Sequence, residues 1–187
     1  MDPDRDLVEA AGRGSPEAFE ELVRRYQGAI VNLARAMTAS DADADDLAQE
    51  TFVRVWRSVG KFRGESTFKT WIYGIALNVI RTYRGRRARL LQIFRSPTIE
   101  SHTGTDPLER ASSDDGIETS MAMRDLIDRA LATLPAELRE AVVLRDVQGL
   151  EYLEIAAALD VPIGTVESRI FRARKRLRPL LEPLRNK

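Results

Sequence analysis

The sequence predicts an all-α protein, two small helical domains joined by a flexible acidic linker, the C-terminal one a helix-turn-helix. Three observations predict it. Apolar residues recur at three- and four-residue spacings through most of the 187 positions, and no stretch alternates like a strand between turns. A central segment, about Leu91 to Thr119, loses that periodicity and turns to Ser, Thr, Asp, Gly and Pro. Near the C-terminus two short amphipathic stripes flank the turn "DVPIG".

In chain order, Ser15-Pro16-Glu17 reads as a helix start, with a Ser cap, Pro in the first turn and an acid at the positive dipole end. The helix it opens carries Phe19, Leu22, Val23, Tyr26, Ile30 and Leu33 on one face, which must be buried. A second helix is expected from about Asp43 to Val59, stopping at Gly60. Ala48, Phe52, Val55, Trp56 and Val59 form one of its faces, and Asp46, Gln49, Glu50, Val53 and Arg57 the opposite one. "KFRGES" reads as a loop, and Ser66 is placed to cap a third helix that runs from about Thr67 into an arginine cluster. The segment after it holds too little apolar surface to offset the entropy of ordering. The expected domains are therefore residues 1–92 and 120–187, with a linker over 93–119. In the second domain Tyr152, Ile155, Ala156 and Leu159 form one stripe; Val166, Ile170, Ala173, Leu177 and Leu180 form the next. Small Ala156 and Ala157 let these helices cross closely.

The formal net charge is zero, but the charges are segregated. Arg81 to Arg95 holds six basic residues and no acid, and Val161 to Lys187 holds eight basic residues and two acids. Against these stand Asp41, Asp43, Asp45, Asp46 and Glu50, and a second acidic block from Glu100 to Glu118. More than one kind of partner surface is implied. On the second stripe's helix, Thr165, Glu167, Ser168, Phe171, Arg172 and Lys175 lie off the buried line, so Phe171 is expected to be exposed. The start of that helix is suited to base edges and its basic remainder to phosphates.

Several chemistries find no support. Cysteine is absent, and the one histidine, His102, sits in a Ser/Thr/Gly-rich segment. The aspartates from Asp41 to Asp46 lack the loop spacing of a metal site, and their place at a helix start favours capping. There is no nucleophile–base set and no phosphate-binding glycine loop. The expectation is a protein that is not an enzyme, with no metal, no cofactor and no small-molecule substrate. No run approaches the roughly 20 apolar residues of a membrane span, and the charged N-terminus has no signal-peptide core, which predicts a cytoplasmic protein.

The order "DDLAQETFVRVW", "FRGESTFKTWIYGIALNVIRTYRGRR", acidic linker, "GLEYLEIAAALDVPIGTVESRIFRARKRL" resembles the extracytoplasmic-function group of bacterial sigma factors. The resemblance covers nearly everything outside the linker. It implies a subunit that joins core RNA polymerase and directs it to promoters, under the control of an anti-sigma protein, often membrane-anchored, that would hold it at the inner face of the membrane. Asp46, Gln49 and Glu50, with the exposed Val53, match the family's polymerase-docking pattern. Phe62, Arg63, Ser66, Phe68, Trp71 and Asn78 match the segment that recognises and melts the minus-ten element, with Arg81, Arg84, Arg86 and Arg87 along the DNA backbone. Trp71 shares a face with Ile75, so core and pocket roles are both open for it. Thr165, Glu167, Ser168, Phe171, Arg172, Lys175 and Arg176 fall on the minus-thirty-five recognition helix.

Two departures stand out. Many relatives carry a basic residue where this chain has Glu167, and a carboxylate there can accept from a cytosine amino group. Glu151 and Leu153 replace the polar cap pattern common at the start of the preceding helix; Leu153 lies off the stripe, to be exposed or covered by a partner or the other domain. The alternative reading is a stand-alone helix-turn-helix regulator, which needs no polymerase-docking face.

Overall fold

The computed structural model describes residues 2–38, 40–94 and 115–185, and the regular structure among them is helical throughout. The helices are α1 (Arg5–Gly12), α2 (Pro16–Thr38), α3 (Asp41–Ser58), α4 (Phe68–Phe94), α5 (Asp115–Ala132), α6 (Ala136–Val142), α7 (Tyr152–Leu159) and α8 (Ile163–Arg185). A 3-10 turn, Val59–Lys61, follows α3, and a π-helical turn, Val143–Val147, follows α6. Most of the expected linker, and His102 with it, lies outside the described residues.

α1 is an element the sequence reading did not find. It is eight residues long and buries only Val8 and Ala11, too few apolar positions for a periodicity to show. Asp4, just before it, is buried and accepts hydrogen bonds from Arg25 at 2.7 Å and from the Tyr26 phenol. Burial and that carboxylate push the Tyr26 hydroxyl well above its ordinary range. α2 begins as expected, with the Ser15 hydroxyl accepting from Ala18 N at 3.2 Å, and it buries Leu22, Ile30 and Leu33. α3 starts at Asp41 rather than Asp43, because Ser40 is its cap and accepts from Asp43 N at 3.3 Å. For α4 the cap is Thr67, not Ser66. The Thr67 hydroxyl accepts from Thr70 N at 3.2 Å, whereas Ser66 donates to the Thr67 carbonyl.

In the C-terminal half, α6, α7 and α8 enclose Leu138, Val142, Leu144, Leu150, Ile155, Val166, Ile170 and Ala173. The turn between α7 and α8 is tighter than "DVPIG" suggests. Ile163 and Gly164 are already helical, and the reversal rests on Asp160, whose φ of 55° is left-handed, with Val161 N donating to Ala156 O at 3.1 Å. Leu180 is exposed rather than part of the stripe. From Leu177 the buried line passes to Leu181, four residues on, which packs against the core.

The two halves pack against each other. α7 lies on α4, with Ala158 O only 3.5 Å from where a Cβ on Gly74 would stand. The buried Tyr73 hydroxyl donates to Gln148 Oε1 at 2.7 Å, and burial pushes its pKa up to about 12. Arg81 forks onto Glu140, at 3.1 and 2.7 Å. Arg139 of α6 is buried and meets no carboxylate among the described residues. Its guanidinium donates to Met37 O, Ala132 O and Leu134 O, at or just beyond the C-terminal ends of α2 and α5, where helix dipoles favour a cation. Burial and the neighbouring Arg84 pull its pKa down.

Candidate nucleic-acid interface

Three exposed surfaces carry the residues singled out above. On α3, Asp46, Gln49, Glu50 and Val53 all face solvent, with Glu50 bridged to Arg54 at 2.7 Å. Trp56, placed by periodicity on the buried face, is 41% exposed. Its ring lies 4.8 Å from that of Phe19, and with Val23, Phe52 and Val53 the pair lines an apolar hollow of 600 Å³ between α2 and α3. The α3 surface thus joins an apolar hollow, whose charged lining residues are Glu20 and Arg57, to an acidic stretch at Asp46 and Glu50 toward the start of the helix. Periodicity missed the hollow because Trp56 sits at the edge of its stripe, where neighbouring chain rather than phase decides exposure.

The second surface is the loop from Lys61 to Thr67 and the helix after it. Gly64 takes φ 71°, a left-handed turn that glycine accepts without strain, and Arg63 beside it projects into solvent. Phe62, Trp71 and Ser66 are partly buried and share a hollow of 290 Å³ with Lys61, Arg63 and Glu65. Trp71 lines that hollow and also packs on Phe68, at 5.7 Å between ring centroids. Phe68 differs from expectation. Its ring is fully buried among Tyr26, Phe62 and Trp71, so it supports the loop and presents nothing to a ligand.

Farther along α4, Asn78 is exposed and the arginines divide. Arg81 is held by Glu140, and Arg87 donates to Asp43 at 3.0 Å and to the Tyr83 hydroxyl at 3.2 Å. Arg84 and Arg86 form no ion pair among the described residues. Arg81, Arg84, Arg87 and Arg139 line a cavity of 570 Å³ where the two halves meet.

The third surface is α8. Val166, Ile170, Ala173 and Leu177 are buried; Glu167, Ser168, Arg172, Lys175 and Arg176 are exposed, Thr165 is half-buried, and Phe171 is 69% exposed. Two more of the helix's arginines are paired with neighbouring elements. Arg169 reaches Glu137 on α6 at 3.1 Å, and Arg174 grips Asp146 at 3.1 and 2.5 Å. Arg172 leans back on Ser168, donating to its carbonyl at 3.2 Å. On α7, Glu151 N donates to Glu154 at 2.8 Å, a cap made by a carboxylate three residues on, and Leu153 is 72% exposed.

Comparison with known proteins agrees with this layout. Residues 22–90 match the family model described as "Sigma-70 region 2", and residues 124–177 match "Sigma-70, region 4". The "ECF RNA polymerase sigma-E factor" of Escherichia coli (strain K12) is 38% identical over 184 residues, which is 97% of this chain and 95% of that protein. The "RNA polymerase sigma-H factor" of Pseudomonas aeruginosa is 36% identical over 187 residues, 98% of this chain and 96% of that protein. Among solved structures, CnrH in complex with the cytosolic domain of CnrY superposes with a TM-score of 0.72 at 30% identity, covering 97% of this chain and 99% of that one. The sigma factor RpoE of Bartonella quintana, in complex with the anti-sigma factor NepR, superposes at 0.69 and 30% identity, covering 88% and 96%.

Proposed function

The chain belongs to the extracytoplasmic-function sigma factors of the sigma-70 family, and on that premise we propose how its surfaces divide the work of initiation. The α3 surface docks on core RNA polymerase: the apolar hollow takes the ridge of a partner helix, and Asp46 and Glu50, toward the start of α3, face basic residues of that helix. The loop at Lys61 to Thr67 and the exposed side of α4 take the melted minus-ten strand, bases on Phe62 and Trp71 and phosphates on Arg84 and Arg86. α8 enters the major groove at the minus-thirty-five element, reading with Glu167, Ser168 and Phe171 and holding phosphates with Arg172, Lys175 and Arg176. The observation that carries this is the coexistence on one chain of two separate surfaces that pair aromatic with basic side chains and a third, acidic and apolar, that suits no nucleic acid. A stand-alone regulator needs only one of the three.

The two promoter elements stand about 25 base pairs apart by their names, about 85 Å at roughly 3.4 Å per step. A folded chain of this size has a radius of gyration of about 16 Å. The packed arrangement cannot span both elements, so the halves part when the protein works. Glu140 then releases Arg81 to the DNA backbone. An anti-sigma protein that grips the packed form would keep the chain off the polymerase, a role supported by the solved RpoE–NepR complex. Among the described residues no helix is long and apolar enough to cross a membrane. Placement at the inner face of the membrane therefore needs an anchored partner, and cell fractionation with and without that partner checks it.

Transcription in vitro with core polymerase on a genomic fragment library, with start sites mapped, tests the assignment. The wild-type chain should initiate from a shared promoter sequence, and Glu167→Ala should relax the requirement for one minus-thirty-five base pair. Asp46→Lys combined with Glu50→Lys should abolish initiation while leaving the helical fold intact. Normal initiation and normal polymerase affinity in that double variant would remove α3 from the docking role.

A further inference from the structure

The loop that takes the melted strand has a second side. Opposite the hollow lined by Trp71, a cavity of 660 Å³ opens between the loop and α1, within the roughly 300–1,000 Å³ of small-ligand sites. Phe62, Arg63 and Ser66 line it from the loop; Asp2, Arg5 and Arg13 line it from the N-terminal segment and α1. The charges are mixed and unevenly committed. Arg5 is bridged to Glu9 at 3.0 Å, whereas Arg13 makes no ion pair among the described residues and Arg63 only a loose one, 3.9 Å from Glu65. Asp2 is held in place. Its Oδ2 accepts from Phe68 N at 2.6 Å, at the first residue of α4, and its Oδ1 accepts from Asp4 N at 3.1 Å. Each oxygen keeps a lone pair for another donor. The base of the loop is thus clamped to the N-terminal segment just ahead of α1, and the residue that makes the clamp, Asp2, also lines the cavity.

We propose that α1 is the second wall of a nucleotide-binding pocket. Asp2 accepts from a base amino group, Phe62 offers a stacking face and Arg13 holds the adjoining phosphate of the melted DNA strand. The chemistry fits a nucleotide better than an isolated phosphate, because an acid and an aromatic ring stand beside the cations. A carboxylate accepts from the exocyclic amino groups of cytosine, adenine and guanine, and thymine has none. The inference rests on the proposed role of the Lys61–Thr67 loop, and it makes Asp2 a specificity-determining residue for the same strand.

The test uses the full chain bound to core polymerase and promoter fragments carrying each of the four bases at every melted minus-ten position, with open complexes followed by 2-aminopurine fluorescence. Asp2→Ala should lower base preference about ten-fold at one position and leave the others as they were, the size of one good base contact. Arg13→Ala should weaken binding equally for all sequences and reduce the salt slope by about 1. If Asp2→Ala weakens every position alike and Asp2→Asn restores it, Asp2 is only a cap for α4 and the proposal falls. An unchanged salt slope in Arg13→Ala overturns the phosphate contact. Phe62→Ala and Arg63→Ala separate this inference from the one beneath it. If they impair melted-strand binding while the α1 variants do not, only α1 is excluded. If they too are silent, the loop itself is not the reader.

Discussion

At the scale of single residues, the structure sorts the many basic residues of α8. Arg169 is mostly buried against Glu137, and Arg174 is forked onto Asp146, so both fasten α8 to the helices beneath it. Arg172, Lys175 and Arg176 point outward without a carboxylate partner among the described residues. Arg169→Ala should therefore cost about 1 kcal/mol of stability, mostly through lost stem packing, since one partner of the pair is exposed. Arg176→Ala should leave stability within about 0.5 kcal/mol and reduce the salt slope of promoter binding by about 1. Urea denaturation and DNA titrations across salt read the two effects separately; equal stability losses would show that the sorting is wrong. Which residues face outward was legible in the sequence, because helical phase sets it. Which outward arginine meets an acid was not, since Glu137 and Asp146 lie 32 and 28 positions away.

At the scale of elements, caps and turns separate the expected helices from those observed. The Asp160 reversal between α7 and α8 sets the angle at which α8 leaves the core. A left-handed residue other than glycine costs roughly 1–2 kcal/mol, least for Asn and Asp. Asp160→Val should therefore destabilise the protein by about 1–2 kcal/mol, whereas Asp160→Gly should stay within about 0.5 kcal/mol, since relief of strain is offset by a looser unfolded chain. Thermal unfolding of both variants checks this, and an unaffected Asp160→Val would mean that the turn is not strained. α1 shows the opposite limit. Its place depends on Asp4 meeting Arg25 and Tyr26 and on Asp2 meeting Phe68 N, and none of those pairings leaves a periodic trace. The α3 surface lies between these cases: its acidic stretch is a pattern in the sequence, and its hollow exists only because Phe19 of α2 comes to lie beside Trp56.

At the scale of the whole molecule, the proposed function requires the packed halves to part. The contact depends on a missing side chain. A Cβ at Gly74 would stand in ordinary contact with Ala158 O at 3.5 Å, so Gly74→Ala fits, but a longer side chain must displace α7. Gly74→Leu should raise the radius of gyration in small-angle scattering and strengthen binding of the polymerase-free protein to promoter DNA; unchanged scattering would show that α4 and α7 do not hold the halves together. The sequence by itself determined the helical class, the buried stripes, the segregation of charge and the exposed edge of α8, because each follows from the order and phase of side chains along the chain. Only the tertiary structure decided that Phe68 is buried, that Arg81 is held by Glu140, that Arg139 lies at the ends of α2 and α5, and that α1 lines a cavity beside the Lys61–Thr67 loop. Those outcomes join residues tens of positions apart. Local periodicity carries no information about such contacts until the helices have packed.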